Sequence, residues 1–372
     1  MAPISVVHVI NGGEGVGGAE RMLCRILHAA DRRRFQHTVV TILECIHLKA
    51  ETLAAGARFI SLDLGIAALA PRRLLPSVPR LLRVPRADLF VGWLNYGGVL
   101  ASILATVRGN VPYVLNFRST PTASDLRRPI MRAMRVSSPR AAVRLANSHA
   151  AVARLEEAGF GEVQFIANGF SPKEFQRNVE RGGEFRRQHA IPLDAFLFGH
   201  VGRFTPLKNQ TGLLRGAVQA LAIEQGAHIV FVGRGTAAAL AEHLPTGTIA
   251  SRIHIVDEIE RPQNAYSAFD AYVHNSDWEG FPNVVAEAML QSLPIVCSDA
   301  GESRSIVGPN NLVVPTGRDD VLAEAMLELL RMPVQDRLAL GAANRVRISE
   351  LYSLDRVVAE FEQHFLEASG TK

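Results

Sequence analysis

Cysteine is scarce in this chain: Cys24, Cys45 and Cys297 are the three present in 372 residues, far apart and with no C-x-x-C pair. That spacing excludes a disulfide framework and a cysteine-based zinc site, and leaves reduced thiols. Also missing is any apolar run of the roughly 18 residues that a bilayer-spanning helix needs. The opening segment, MAPISVVHVI, has no basic stretch ahead of its apolar residues and reads as a strand. No signal peptide is expected from it, and the cytoplasm is the expected address. Aromatic residues make up only 6% of the chain, and no recognised nucleic-acid motif accompanies its basic regions. Nucleic acid is therefore not an expected partner.

What is present is an ordinary globular composition, 48% hydrophobic and 20% charged, long enough for two domains. The net charge of +4 is unevenly spread. Residues 1–180 carry 23 Lys/Arg against 13 Asp/Glu, and the remainder carries 17 against 23. From Arg72 to Arg144 there are 13 arginines, no lysine, and only Asp88 and Asp125 as acids. In PRRLLPSVPRLLRVPR and LRRPIMRAMRVSSPRAAVR the arginines interleave with Leu, Ile, Met and Val at roughly helical spacing. Such segments suit the surface of an anionic membrane, and a solvated arginine face is the competing reading.

Short β-branched apolar runs alternate with helical patterns along the whole chain. In the first half they are residues 4–10, 37–43, 58–64, 88–94, 112–117, 143–148 and 163–168; in the second, 196–202, 228–233, 252–257, 271–276, 294–299 and 312–315. Continuous apolar strands separated by helices predict parallel sheets covered on both faces. The polar stretch SPKEFQRNVERGGEFRRQH, residues 171–189, interrupts this rhythm and reads as the link between two doubly wound domains. Ligands of such sheets bind at the carboxyl ends of strands, so a cleft lined by strand ends from both domains is expected.

The informative residues do follow strands. After the first comes NGGEGVGGAERML, in which Gly13, Gly15 and Gly18 form G-x-G-x-x-G, with Glu44 ending the next strand. This is the dinucleotide fingerprint, although Glu14 puts a carboxylate where a pyrophosphate would lie. Glycine amides at a helix N-terminus suit an anion or polar ligand in either case. The first strand of the second half runs into HVGRFTPLKNQ, with Arg203 and Lys208 flanking a Thr-Pro turn. An arginine fork beside a lysine point charge suits a diphosphate. FVGRG, containing Gly233, makes another tight turn after the next strand. In SDWEGFPNVVAEAML, Gly280 and Pro282 break the chain between Glu279 on a loop and Glu287 early in a helix. Both carboxylates are expected to face the cleft and to accept hydrogen bonds from vicinal hydroxyls of a ribose or hexose.

Taken together these residues resemble the family 4 retaining glycosyltransferases of the GT-B fold. The segments GGAERML, ANSHAAVARLEEAGF, VQFIANGF, VGRFTPLKN, FVGRG, EGFPNVVAEAM and LPIVCSDAGESRSIV fall in that family's order. VGWLNYGGVLAS followed by PYVLNFRST is similar to the branch that builds bacterial exopolysaccharide and O-antigen. The resemblance implies an α/β fold of two doubly wound Rossmann-like domains facing across a cleft. An acceptor-side domain would span residues 1–178 and a nucleotide-sugar domain 179–352, with a helix over 353–372 packing back on the first. It implies that Arg203 and Lys208 hold the donor diphosphate, Glu287 the ribose, and Glu279 the transferred sugar. Gly233, Asp257 and the Gly280, Phe281, Pro282, Asn283 and Val284 segment would complete the donor site, with Gly17 and Gly18 closing from the other domain. Many members carry a histidine after the fifth strand. This chain has Asn116-Phe117-Arg118 there, so Asn116 or Arg118 would take that role, or the role is dispensed with.

The implied reaction moves a hexose or N-acetylhexosamine, with retention, from a nucleotide-diphosphate sugar, UDP-linked by preference. The acceptor would be a glycan or a lipid-linked glycan, presented at the inner face of the cytoplasmic membrane. No cofactor is implied, and the absence of D-x-D anywhere leaves a metal clamp without its usual ligands. An NAD-dependent oxidoreductase would explain the first glycine loop but not Arg203, Lys208 and the two glutamates. A nucleotide-sugar epimerase of the same fold would use similar sites. A two-domain solute-binding protein would need an export signal.

Overall fold

The computed structural model describes residues 2–13, 17–64, 78–259 and 262–370. The chain forms two compact units, Met1–Gly169 with Leu354–Lys372, and Phe170–Ser353. Each is built on one fully parallel sheet.

In the first unit the strands are β1 (Ile4–Ile10), β2 (Phe35–Thr41), β3 (Arg58–Ser61), β4 (Leu89–Trp93), β5 (Tyr113–Phe117), β6 (Val143–Ala146) and β7 (Gln164–Phe165), in the order 3-2-1-4-5-6-7. The second has β8 (Phe196–Val201), β9 (Ala227–Val232), β10 (Ile253–Val256), β11 (Ala271–His274), β12 (Ile295–Ser298) and β13 (Leu312–Val314), in the order 10-9-8-11-12-13. These are the two doubly wound, Rossmann-like sheets that the alternating pattern predicts. In both, the strand order reverses beside the first strand, between β1 and β4 and between β8 and β11. Such a switch point leaves a crevice at the strands' carboxyl ends.

The apolar strands follow from burial on two faces. On one face of the first sheet, Ile10, Val91 and Trp93 meet the Gly18–Ala29 helix and the Leu354–Ser369 helix. On the other, Val7, Phe90 and Leu115 meet the Leu94–Val107 helix and the two methionines, Met131 and Met134, of the Pro129–Ser137 helix. The Leu354–Ser369 helix thus belongs to the first unit, where Phe361 stacks on Trp93 at 6.1 Å and Phe365 lies edge-on to His8.

The chain changes unit at Gly169–Phe170 rather than at 178–179. Residues 171–189, expected as a linker, lie in the second unit, and Val179–Gln188 is one of its helices. The polar composition misleads because Arg186 is buried, not solvated. Its guanidinium donates to the carbonyls of Ala268 and Ala195 and pairs with Asp270 at 2.8 Å.

Candidate functional site

In the second unit, the loop leaving β8 carries Arg203 and Lys208. It is tied at both ends: Phe204 N–H donates to the Arg234 carbonyl at 2.9 Å, and Gln210 Nε2 donates to the Gly202 and Arg203 carbonyls. Asn209 takes a left-handed conformation (φ 45°) and caps the Gln210–Ile223 helix. It also donates to Asp277 Oδ1 at 3.0 Å, while Asp277 N–H donates to the Leu207 carbonyl. Those two bonds lock the loop after β8 against the loop after β11, and so bring Lys208 to Glu279. Arg203 is exposed, and its guanidinium makes no hydrogen bond or ion pair with any described residue.

Glu279 is the centre of the polar cluster. One oxygen, Oε1, accepts from Lys208 Nζ at 2.5 Å, Ser276 Oγ at 2.7 Å and His274 Nε2 at 3.0 Å. Burial alone would raise the carboxyl's pKa, but the Lys208 charge and the His274 hydrogen bond outweigh it and hold the group well below the usual carboxylate range. The carboxylate therefore stays ionised at working pH. For His274 burial wins over the pull of Glu279 and lowers the pKa, so its imidazole is neutral near pH 7.

The surrounding turns need glycine. A Cβ on Gly233 would lie 2.1 Å from the Gly202 carbonyl oxygen, so the turn after β9 packs directly on the loop after β8. A Cβ on Gly301 would lie 2.4 Å from the Gly280 carbonyl, where Glu302 N–H also donates to that carbonyl at 3.0 Å. The turn after β12 thus braces the Glu279–Gly280 backbone. Pro282 is the N-cap of the Asn283–Leu290 helix. Phe281 is buried against Phe170 and Tyr352, while Asn283 and Val284 are half-buried. Asp257 is exposed just beyond β10.

Glu287 departs from expectation. Its side chain is fully buried, and Oε2 accepts from the Tyr266 hydroxyl at 3.2 Å. The helix turns it inward toward Tyr266, so the two glutamates do not form an open, matched pair. Glu279 sits in the ion-paired network and Glu287 in the helix's buried face.

In the first unit, Gly17 and Gly18 begin the Gly18–Ala29 helix, and the Gly17 amide already donates to Glu20 Oε2 at 3.0 Å. Gly13 N–H donates to the Glu44 carbonyl. Gly15 and Glu14 lie outside the described residues, as do Arg72 and Arg73. Asn116 and Arg118, expected near the reacting sugar, are buried at the ends of β5 to β7. Arg118 donates to Asn116 Oδ1, to the Ile166 and Ala167 carbonyls and to Asn168 Oδ1, and lies over the Phe361 ring. Burial lowers its pKa to about 9. Both terminal nitrogens are thus engaged by protein oxygens, while Nε is buried without a partner among the described residues; the arrangement is that of a clamp on the strand ends.

Sequence reading missed His274 and Ser276. The signal was a histidine closing an otherwise apolar strand, five residues before Glu279.

Comparison with known proteins bears on both units. The sequence model described as Glycosyltransferase Family 4 matches residues 16–174, and the one described as Glycosyl transferases group 1 matches residues 195–332. A Bacillus subtilis protein provisionally named as the teichuronic acid biosynthesis glycosyltransferase TuaC is 25% identical over 232 residues, covering 61% of this chain and 57% of that one. A GDP-mannose-dependent alpha-mannosyltransferase of Mycobacterium tuberculosis is 29% identical over 206 residues, covering 54% and 51%. The chain thus spans about half the length of the curated relatives it matches. Among solved structures, Anabaena Alr3699/HepE in complex with UDP and glucose superposes with a TM-score of 0.81 at 18% identity, over 97% of this chain and 99% of that one.

Proposed function

This chain belongs to the family 4 glycosyltransferases and has the GT-B fold; from that premise we propose that it moves a sugar from a nucleoside-diphosphate donor to a hydroxyl acceptor. The observation that carries the reading is the placing of two cations, one of them paired with an ionised carboxylate, at the carboxyl ends of β8 and β11. Arg203 is exposed and has no partner among the described residues, Lys208 holds Glu279 at 2.5 Å, and Glu279 is kept charged. A diphosphate needs the cations, and a sugar hydroxyl needs an acceptor that never becomes a donor.

In this reaction the acceptor oxygen bonds to the anomeric carbon as the bond from that carbon to the phosphate oxygen breaks. The departing phosphate takes the acceptor's proton on the same face, which retains the configuration. The protein's share is electrostatic: Arg203 and Lys208 stabilise charge growing on the leaving diphosphate. No metal is called on, because the two cations meet that charge. Family membership sets aside the oxidoreductase and solute-binding alternatives.

The donor we favour is a UDP-linked hexose or N-acetylhexosamine. A solved relative in fold is in complex with UDP and glucose, whereas one relative in sequence is named for GDP-mannose. The acceptor we favour is a glycan or lipid-linked glycan of the cell surface, reached at an anionic membrane. The Pro129–Ser137 helix supports this: it buries Met131 and Met134 and exposes Arg132, Arg135 and Val136. Among the described residues no helix is long and apolar enough to cross a membrane. Co-sedimentation with liposomes should rise with anionic lipid and fall with salt.

A thermal-shift panel of UDP, GDP and ADP sugars, with and without EDTA, tests the reading. A donor at 100 times its Kd should stabilise the protein by about 2.7 kcal/mol, and chelation should leave the effect intact. No shift with any member, or a shift abolished by EDTA, contradicts it.

A further inference from the structure

Three donors converge on a single oxygen of Glu279: the Lys208 ammonium, the Ser276 hydroxyl and His274 Nε2, at 2.5, 2.7 and 3.0 Å. A carboxylate oxygen has two lone pairs in its plane, so Oε1 is fully used. Oε2 has no hydrogen-bond partner among the described residues, and it is not among the buried atoms left without one. The carboxylate is therefore loaded on one side and open on the other.

His274 is what makes this arrangement fixed. Its Nε2 must carry the proton, because a lone pair there would face the charged Oε1 at 3.0 Å. The proton is held between Oε1 and the Ser276 hydroxyl, itself 3.0 Å from Nε2. The ring is held by packing: it is fully buried and lies beside His200, at 6.0 Å and 20°, and Tyr272, at 6.3 Å and 18°, in a cluster of three nearly parallel rings. The opposite nitrogen, Nδ1, is buried with no partner among the described residues, so no second bond from them competes for the ring's orientation. Ser276 is held in turn by the Ser298 hydroxyl, which donates to its carbonyl at 2.6 Å.

We propose that His274 is a positioning residue for recognition of the transferred sugar, fixing the Glu279 carboxylate so that Oε2 alone accepts a hydrogen bond from one sugar hydroxyl. This rests on the glycosyltransferase reading and sharpens it. The grip is on a single hydroxyl rather than a vicinal pair, and it acts on the sugar and not on the nucleotide.

The test uses two variants. His274→Phe keeps a flat ring beside His200 and Tyr272 but has no N–H, whereas His274→Gln places an amide N–H near the position of Nε2. UDP-glucose, UDP-N-acetylglucosamine and GDP-mannose are each titrated beside the free diphosphate, and the donor that wild type binds is carried forward. In His274→Phe the ratio of the nucleotide-sugar Kd to the diphosphate Kd should rise about tenfold, the worth of one hydrogen bond to a charged group, with the diphosphate Kd unchanged. His274→Gln should restore most of the wild-type ratio. An unchanged ratio in His274→Phe, or equal weakening of diphosphate and nucleotide sugar, overturns the inference and leaves the proposed function standing. A wild-type protein that binds none of the nucleotides overturns both. Imidazole 15N NMR gives an independent reading without ligand: His274 should be neutral and protonated on Nε2 at pH 7. A proton on Nδ1 instead, or on both nitrogens, refutes the arrangement.

Discussion

The core of the first unit contains a chain of hydrogen bonds that only neutral histidines can make, and acid should break it. Trp93 Nε1–H donates to His8 Nδ1 at 3.2 Å, which leaves the His8 proton on Nε2, where it is given to His37 Nδ1 at 2.9 Å. A second proton on either ring would set N–H against N–H. Burial lowers the pKa of His37 to about 4, and burial followed by the neighbouring His37 lowers that of His8 well below 6.5. Both folded values lie below the unfolded one, so the stabilisation is complete above about pH 6.5 and is lost as pH falls and the unfolded chain takes up protons. For His37 alone, a shift from about 6.5 to about 4 amounts to about 2 kcal/mol at pH 5 relative to pH 8. His8 adds to this in the same direction. The chain has two tryptophans, one per unit, so a Trp278→Phe background leaves Trp93 as the fluorescent reporter of the first unit. Urea unfolding at pH 8, 7, 6 and 5 should show the loss, and His37→Asn, which keeps an acceptor for His8, should remove about 2 kcal/mol of it. Stability that does not change between pH 8 and pH 5, or a pH dependence untouched by His37→Asn, refutes the reasoning.

Three further substitutions separate folding from function. Arg118→Leu removes the donor that Arg118 supplies to the Ile166 and Ala167 carbonyls, so the first unit should lose about 3 kcal/mol or more in urea unfolding. Lys208→Ala strips Glu279 of its ion-pair partner and should cost about 1–3 kcal/mol of stability in addition to its effect on binding, read from melts of the ligand-free protein. Glu287→Ala removes the nearer of two acceptors of the Tyr266 hydroxyl, the other being the Val284 carbonyl at 3.4 Å; a loss of about 1–3 kcal/mol in the same melts is expected, and an unchanged melting temperature would contradict its burial.

The two sheets are legible because a strand buried on both faces must be apolar throughout, and the runs over residues 4–10 and 271–276 have no other reading in a chain of this length. The loop after β8 and the turn at Glu279–Gly280 are legible too, since cations and a carboxylate beside glycine and proline announce themselves locally. What escapes is whatever depends on direction. Arg118 reads as a free cation at a strand end, yet it is consumed by the carbonyls of Ile166 and Ala167, which the fold brings back from far along the chain. Arg186 sits in a stretch that looks like solvated linker, although the residues leading into β8 and β11, at the strands' amino ends, enclose it. Glu287 has the spacing of a partner for Glu279, but the helical turn points it at Tyr266. His274 looks like one more strand residue until the loop after β11 folds Glu279 back over it.

The central claim is that the carboxyl ends of β8 and β11 hold a nucleoside diphosphate, and Arg203 tests it most directly, because its guanidinium is exposed and its loss leaves no group unpaired among the described residues. Calorimetric titration of UDP and GDP into wild type and Arg203→Ala, with melting temperatures measured in parallel, is the decisive measurement. The account predicts an unchanged melting temperature and affinity for the bound diphosphate lower by about 10- to 100-fold, the loss of a charge-assisted contact. Equal affinity in the two proteins would contradict it.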